Sequence, residues 1–487
     1  MVNRSKYSVI IKENIRIIGS SALVIVFLII SILLIRSGAS LMWLIPPALL
    51  IASFALLAID KFLLLTVFLV PVSVQLRFII PYPPADVFLP TELMLGVILL
   101  LMVFKLVYTK EIDRKILLHP VSIISICLLG WYLITSLTST IPWVSLKSFI
   151  ARMWFFAGFY LLAAEIFRKP ERIKNYLFAY IAGMTPVVIY FLIRMWQTGI
   201  FDQKASYFMI RPFFSDHTSF GAALAFCIPL IIYFLTLEKK GSAIRVFLFM
   251  ALFLFSVSFI LSYSRAAWLS LVVSIMVTVI ILTRLSWKIV FSGLAIVAFI
   301  VSISWSAIML QINENRQESD DNIKRHIQSI ANIRSDASNL ERINRWKSAV
   351  RMFREKPLLG WGPATYQFQY APFQISGEKT IISTNYGKGG NAHSEYLGSL
   401  VDSGIPGLIF YILLLFISIR RGGIIYNTHT DKQIRNLVLA MIAGLTTYVI
   451  HGGLNNFLDT DKISALFWGM IAVIVAIDLR MKEEAIS

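Results

Sequence analysis

Fourteen apolar stretches follow one another along this chain, and most are long enough to cross a bilayer as a helix, which takes about 20 apolar residues. They cover residues 17–35, 43–59, 62–80, 93–107, 121–137, 149–167, 173–196, 220–237, 246–261, 266–282, 289–309, 396–419, 437–450 and 463–477. Backbone polar groups in hydrocarbon must be satisfied within their own segment, so runs of this kind fold as helices. Charged residues make up 15% of the chain against about 25% in ordinary soluble domains. With a mean hydropathy of +0.74, a soluble globular protein is excluded. The third stretch is interrupted by Pro71 and carries Arg77, and the thirteenth is short. The expected fold is therefore all-α, a polytopic membrane protein of about 12 to 14 transmembrane helices.

Charge then orients the spans. Alternate loops and span ends hold 24 of the 45 Lys and Arg residues, including Arg4, Lys12, Arg114, Lys115, Arg168, Lys169, Lys239, Lys240, Arg420 and Arg421. The positive-inside bias assigns this set, and with it both termini, to the cytoplasm. The formal net charge of +18 thus reflects topology and does not call for nucleic acid. The segment 310–391 falls outside; its twelve basic and eight acidic residues do not object, since long loops escape the charge rule. Three regions follow: helices over 1–309, a long outer loop over 310–391, and helices over 392–487. The basic residues before the first span resemble those of a signal peptide, but its apolar run is longer, and an uncleaved helix is expected. Cys127 and Cys227 lie inside apolar runs, which leaves neither a disulfide framework nor zinc spacing. No internal repeat of the kind that builds many transporters is visible.

Polar residues in or beside spans mark function because charge there is costly. Arg152 lies one turn into the sixth span, Arg211, Asp216 and His217 lead into the eighth, and Arg265 occupies the tight turn between the ninth and tenth. His393 opens the twelfth span and His451 closes the thirteenth. All of these point to the outer boundary. Arg77 and Arg194 read as anchors that snorkel at span ends. His119, His326 and His429 read as solvated surface residues, and His451 as structural. In the long loop, 311–339 is polar and aperiodic. Residues 340–355 read as a basic amphipathic helix, with Leu340, Ile343, Trp346, Val350 and Phe353 at helical spacing beside Arg342, Arg345 and Arg351. Such a helix either lies on the membrane surface or presents a row of guanidinium forks to phosphate.

At His393 the residues resemble a known family. Asn391-Ala-His-Ser-Glu-Tyr-Leu-Gly-Ser-Leu-Val-Asp-Ser-Gly-Ile-Pro-Gly407 is similar to the signature of the bacterial O-antigen ligase and polymerase superfamily, filled here by His393, Ser394, Gly404 and Gly407. Arg342-Ile-Asn-Arg-Trp346 with Gly360-Trp-Gly-Pro363, Ser264-Arg265-Ala266, and Arg211-Pro-Phe-Phe-Ser215 resemble further segments of that family. The likeness covers about residues 145–480. Ligases often follow the second glycine with two threonines, whereas Leu408 and Ile409 stand here.

The resemblance implies a GT-C-like inner-membrane glycosyltransferase working on the periplasmic face, with undecaprenyl-pyrophosphate-linked glycan as donor. A ligase would deliver that glycan to lipid A–core, and a polymerase to another lipid-linked repeat unit. Preorganised cations serve where leaving-group charge develops. Arg152, Arg211 and Arg265, with Arg342, Arg345 and His217, are the candidates to hold pyrophosphate. His393 is the candidate general base for the acceptor hydroxyl, since imidazole titrates near neutrality. Glu395 is either a second base or a helix-end charge. Gly404 and Gly407 are expected to permit close packing. No cofactor is expected, and Asp459-Thr-Asp461 is a weak metal candidate. A flippase or exporter of lipid-linked sugars is the competing class. It would place ionisable groups near the bilayer midplane instead of at one face.

Overall fold

The computed structural model describes residues 45–79, 87–109, 112–284, 337–379, 383 and 390–484. The expected spans 17–35 and 289–309, His326, and nearly all of the polar stretch 311–339 lie outside the described residues. Two short helices come first, α1 (Ile45–Leu57) and α2 (Ile59–Leu69). A two-residue ribbon of β1 (Val74–Gln75) and β2 (Phe88–Leu89) pairs antiparallel after them. The helices that follow are α3 (Thr91–Phe104), α4 (Arg114–Leu117), α5 (Pro120–Leu137), α6 (Pro142–Phe155), α7 (Ala163–Ile166), α8 (Pro170–Thr198), α9 (Gln203–Met209), α10 (His217–Leu237), α11 (Ala243–Leu261) and α12 (Arg265–Thr283). A π-helical segment, Phe156–Leu162, joins α6 to α7 in one membrane-length rod. Then come α13 (Ala337–Glu355), α14 (Tyr366–Gln369), α15 (Glu395–Thr428), α16 (Lys432–His451) and α17 (Asp461–Glu484).

Among the described residues, ten helices are long and apolar enough to cross a membrane. The protein is an all-α, multi-pass membrane protein. The expected span 62–80 is corrected: α2 stops at Leu69, two residues before Pro71, and the chain then enters β1 and a short 3₁₀ turn carrying Arg77. Proline cannot donate the next helical hydrogen bond, which accounts for the stop.

The bundle packs around α17, whose whole apolar window is buried. Charged residues at its two ends are met by partners, as burial demands. Asp461 accepts from Ser73 Oγ at 2.7 Å and Thr91 Oγ1 at 2.5 Å. Lys462 Nζ donates to the Val70 and Ser73 carbonyls at 3.1 and 3.0 Å. At the far end, His119 Nε2 lies 2.8 Å from Asp478 Oδ2, while its Nδ1 accepts from Val121 N at 3.2 Å. His119 is 2% exposed, so its reading as a solvated surface residue is overturned. Capping of α5 and pairing with Asp478 draw it inside. His429 caps the turn before α16 by accepting from Asp431 N at 2.9 Å.

The glycine pair in α15 has a definite structural purpose. Gly404 sits at φ 68°, and Pro406 follows, so the helix kinks and frees carbonyls. Trp361 N donates to Val401 O and Gly362 N to Asp402 O, each at 2.9 Å, while Trp131 Nε1 donates to Ser403 O at 2.7 Å. The loop segment before the histidine thereby docks onto the kink. A Cβ at Gly404 would lie 2.0 Å from Leu358 O, and one at Gly407 would lie 2.3 Å from Ser403 Cβ. Gly404→Ala meets both a left-handed backbone and a carbonyl. It is expected to destabilise by more than about 1 kcal/mol. A thermal unfolding temperature unchanged in detergent would refute this account of the kink.

Candidate active site at one membrane face

Several connections meet at one face: the 138–141 turn, the 199–216 segment, the 262–264 turn, the described residues between 340 and 394, and the 452–460 turn. Their hydrogen bonds interlock. Thr140 N donates to Trp361 O at 3.1 Å, Glu395 N to Gly452 O at 2.7 Å, and Asn391 Nδ2 to Asn456 O at 3.3 Å. The opposite face carries ion pairs between the basic loops and scattered carboxylates, such as Lys115–Glu483 and Lys105–Glu165, both under 3 Å.

Asp216 caps α10, its Oδ1 accepting from Thr218 N at 2.8 Å and Ser219 N at 2.9 Å. Burial pulls its pKa up, but hydrogen bonds from Thr218 and Ser219 win and hold the carboxyl below the ordinary range. His217 follows, with Nδ1 2.6 Å from Ser262 O and its ring stacked 4.2 Å from Tyr207. A carbonyl can only accept, so Nδ1 carries the proton, and in the neutral ring Nε2 can only accept. Ser264 caps α12 after Tyr263 turns the chain at φ 48°, and Arg265 is the first residue of the helix. The expected tight turn is thus found. Arg211 stacks on Phe208 at 4.8 Å and donates Nε to Ser215 O at 3.0 Å.

His393 adopts φ 48°, a conformation in which histidine is enriched among non-glycine residues. Asn391 Oδ1 accepts from His393 N at 3.0 Å, and Trp346 Nε1 donates to His393 O at 3.2 Å. Burial first, then the charges of Arg345 and Arg342, depress the His393 pKa to about 4. Arg342 also acts electrostatically on His217 and His451, Asp216 acts on all three histidines, and Arg265 acts on His217. His217, Arg265, Arg342, His393, His451 and Asp216 thus share one electrostatic neighbourhood.

Two expected residues have other surroundings. Arg345 is buried, donating Nε to Glu341 Oε1 at 2.8 Å and Nη1 to Asn391 O at 3.2 Å. A Cβ at Gly390 would lie 1.6 Å from Arg345 Nη1, which is why glycine stands there. Arg345 therefore fixes the approach to His393. Arg351 is likewise engaged inside the loop, by Phe373 O at 2.8 Å and by Glu378. The buried face of α13 is not the predicted apolar stripe. It consists of Glu341, Asn344, Arg345, Ser348, Ala349 and Met352, whereas Val350 is exposed. Hydrogen bonds, such as Asn344 Nδ2 to Gln374 Oε1 at 2.9 Å, make that polar face packable.

Arg152 occupies a separate chamber between α5, α6, α15 and α17, with Tyr132, Asp402 and Trp468. Its guanidinium lies 4.4 Å from the Tyr132 ring and feels Asp402, Asp459 and Glu395. Glu395 is largely consumed: one oxygen accepts from Tyr448 OH, from Phe457 N at 2.7 Å and from Leu458 N at 3.0 Å. It latches the start of α15 to the turn after α16. Asp402 escaped sequence reasoning, although a carboxylate seven residues into a span was a signal in plain view. Among the described residues, no group of three or more His, Cys, Asp or Glu is placed to hold a metal ion, and Asp461 faces Ser73 and Thr91.

Residues 250–412 match the family model described as O-antigen ligase. The match covers a third of the chain, which is there similar to an O-antigen ligase domain. That O-antigen ligase segment contains Arg265, Arg342, Arg345, His393 and the Gly404–Gly407 kink, while Arg152, Arg211 and His217 lie before it. The match supports an enzyme of the O-antigen ligase and polymerase superfamily in a bilayer, working in a lipid-linked glycan context. No curated protein matches the chain.

Proposed function

We propose that the chain is a glycosyltransferase of the bacterial inner membrane that moves a glycan from undecaprenyl pyrophosphate to lipid A–core. In this reading both termini are cytoplasmic, and transfer occurs on the periplasmic face. The observation that carries it is the convergence of His393 with Arg265, Arg342 and His217 at one face, within and beside the segment that matches O-antigen ligase. Alternation of basic and less basic helix ends supports the orientation.

The reaction forms a bond between an acceptor oxygen and C1 of the first sugar and breaks the bond from C1 to the pyrophosphate oxygen. The acceptor proton goes to His393, and the lipid pyrophosphate leaves with the electron pair. Arg211, Arg265 and Arg342 face the charge that develops on it. A base depressed to about 4 is weak on its own. Bound pyrophosphate offsets the arginine charges that depress it, so donor binding raises His393 toward its working range. Arg345 and Glu395 position that histidine. No step requires a cofactor.

The test uses purified protein in liposomes with the strain's lipid-linked glycan, with and without lipid A–core, with EDTA and a His393→Asn variant in parallel. A product that requires lipid A–core, persists in EDTA and is lost in the variant is expected. Leu408 and Ile409, where ligases often carry threonines, favour a second reading as a repeat-unit polymerase. A ladder formed from the donor alone would establish that reading in place of the first. Transfer of the lipid-linked glycan across the bilayer without bond formation would replace both with a flippase.

A further inference from the structure

The chamber around Arg152 has features that the pyrophosphate cluster does not use. It is a cavity of about 60 Å³, room for several waters. Five polar atoms on its lining residues are buried and make no hydrogen bond: Arg152 Nη1, Ser399 Oγ, Asp402 Oδ1, Tyr411 OH and Asn456 Oδ1. Leaving such atoms unsatisfied costs about 1–3 kcal/mol apiece, and native structures hold few of them. Here five converge on one cavity, and the indole of Trp468 forms part of its wall.

Their chemistry identifies what they lack. Arg152 can only donate, the Asn456 oxygen and an ionised Asp402 only accept, and Tyr411 and Ser399 can do either. An anion would meet the Asp402 and Asn456 acceptors and the carboxylates that already answer Arg152. An apolar group would leave them all unpaired. Hydroxyl groups, each both donor and acceptor, suit the set, and an aromatic wall suits the C–H face of a sugar.

Resting on the proposed transferase reading, we infer that this chamber is a sugar-hydroxyl subsite, which takes hydroxyl groups of one glycan substrate in place of waters. The same hydroxyl chemistry is offered by the donor glycan and by the acceptor core, and kinetics separates them. Tyr411→Phe is the informative variant. Removing an unpaired buried hydroxyl is neutral or stabilising in a purely structural cavity, whereas a subsite loses a contact.

The measurement is transfer kinetics in liposomes with the strain's lipid-linked glycan and lipid A–core, each varied in turn. Tyr411→Phe and Asp402→Asn are expected to raise one KM about tenfold with kcat within about threefold. Whichever KM moves names the donor or the acceptor as the source. If neither KM moves in Tyr411→Phe, or kcat alone falls, the cavity holds water only and the inference fails. Where the wild-type protein forms no product, fluorescence quenching by the same two substrates decides independently, with Trp468→Phe reporting the share due to Trp468. Saturable quenching weakened in Tyr411→Phe would uphold the subsite while the transferase reading fell. Its absence with both substrates would sink the subsite.

Discussion

Replacing His393 by asparagine is expected to lower kcat for glycan transfer by about 10²–10⁴-fold, the usual contribution of a positioned general base. Asparagine is the right variant because residue 393 holds φ 48°, which asparagine tolerates and alanine does not. The thermal unfolding temperature should therefore stay within a few degrees of wild type, and substrate KM values within a few-fold. The pH profile gives a second, independent readout. In the free enzyme His393 is depressed to about 4 by burial and by Arg345 and Arg342. A depressed base is neutral, and so competent, above that pH, and is lost as pH falls through it. Accordingly kcat/KM should rise through about pH 4 and be flat towards neutrality. The limb in kcat should lie higher, because bound pyrophosphate answers the arginine charges. Arg342→Gln should raise the kcat/KM limb. An asparagine variant that transfers at the wild-type rate would remove His393 from the chemistry, and an acid limb that survives in it would belong to another group.

Why His393 was legible in the sequence while its surroundings were not follows from what a one-dimensional pattern records. Apolar length marks spans because each must satisfy its backbone alone, and that rule does not depend on neighbours. The same independence makes the turn at Ser264 readable, since a short link between two spans leaves Arg265 little freedom. Tertiary pairing is invisible to it. His119 read as surface because it sits at the edge of a basic loop, yet Asp478, 359 residues away, receives it in the interior. The apolar stripe of α13 was real as a pattern, but it is not the face that the protein buries. Glu341, Asn344, Arg345 and Ser348 carry the buried face through hydrogen bonds that periodicity does not count. Gly404 was expected to bring helices close; it bends α15 so that Gly360-Trp361-Gly362 can pair with the freed carbonyls. The span 62–80 failed at Pro71, where local chemistry outweighed hydropathy.

The second large effect concerns Arg265. Electrostatic stabilisation works when the donor is held in place before charge develops, so that no reorganisation is needed during the reaction. The turn that holds Arg265 meets this condition. Tyr263 fixes the backbone in the left-handed region, Ser264 caps the helix, and Gly221 of α10 packs so closely that a Cβ there would lie 2.9 Å from Ser264 Cβ. Arg265→Ala is therefore expected to cost about 10²–10³-fold in kcat, matching about 3–4 kcal/mol of transition-state stabilisation. Arg265→Lys should recover only part of this, since an ammonium offers a point charge where a guanidinium offers two parallel donors to phosphate oxygens. Arg194 supplies the comparison. It lies at the same face but stacks on Tyr190 and donates to its hydroxyl at 2.7 Å. Arg194→Ala should leave kcat within about twofold, as suits a side chain serving as a membrane-edge anchor. Full activity in Arg265→Lys would reduce the requirement to positive charge alone. Loss of thermal stability in Arg265→Ala with kcat intact would make the arginine a part of the turn and leave the pyrophosphate to Arg211 and Arg342.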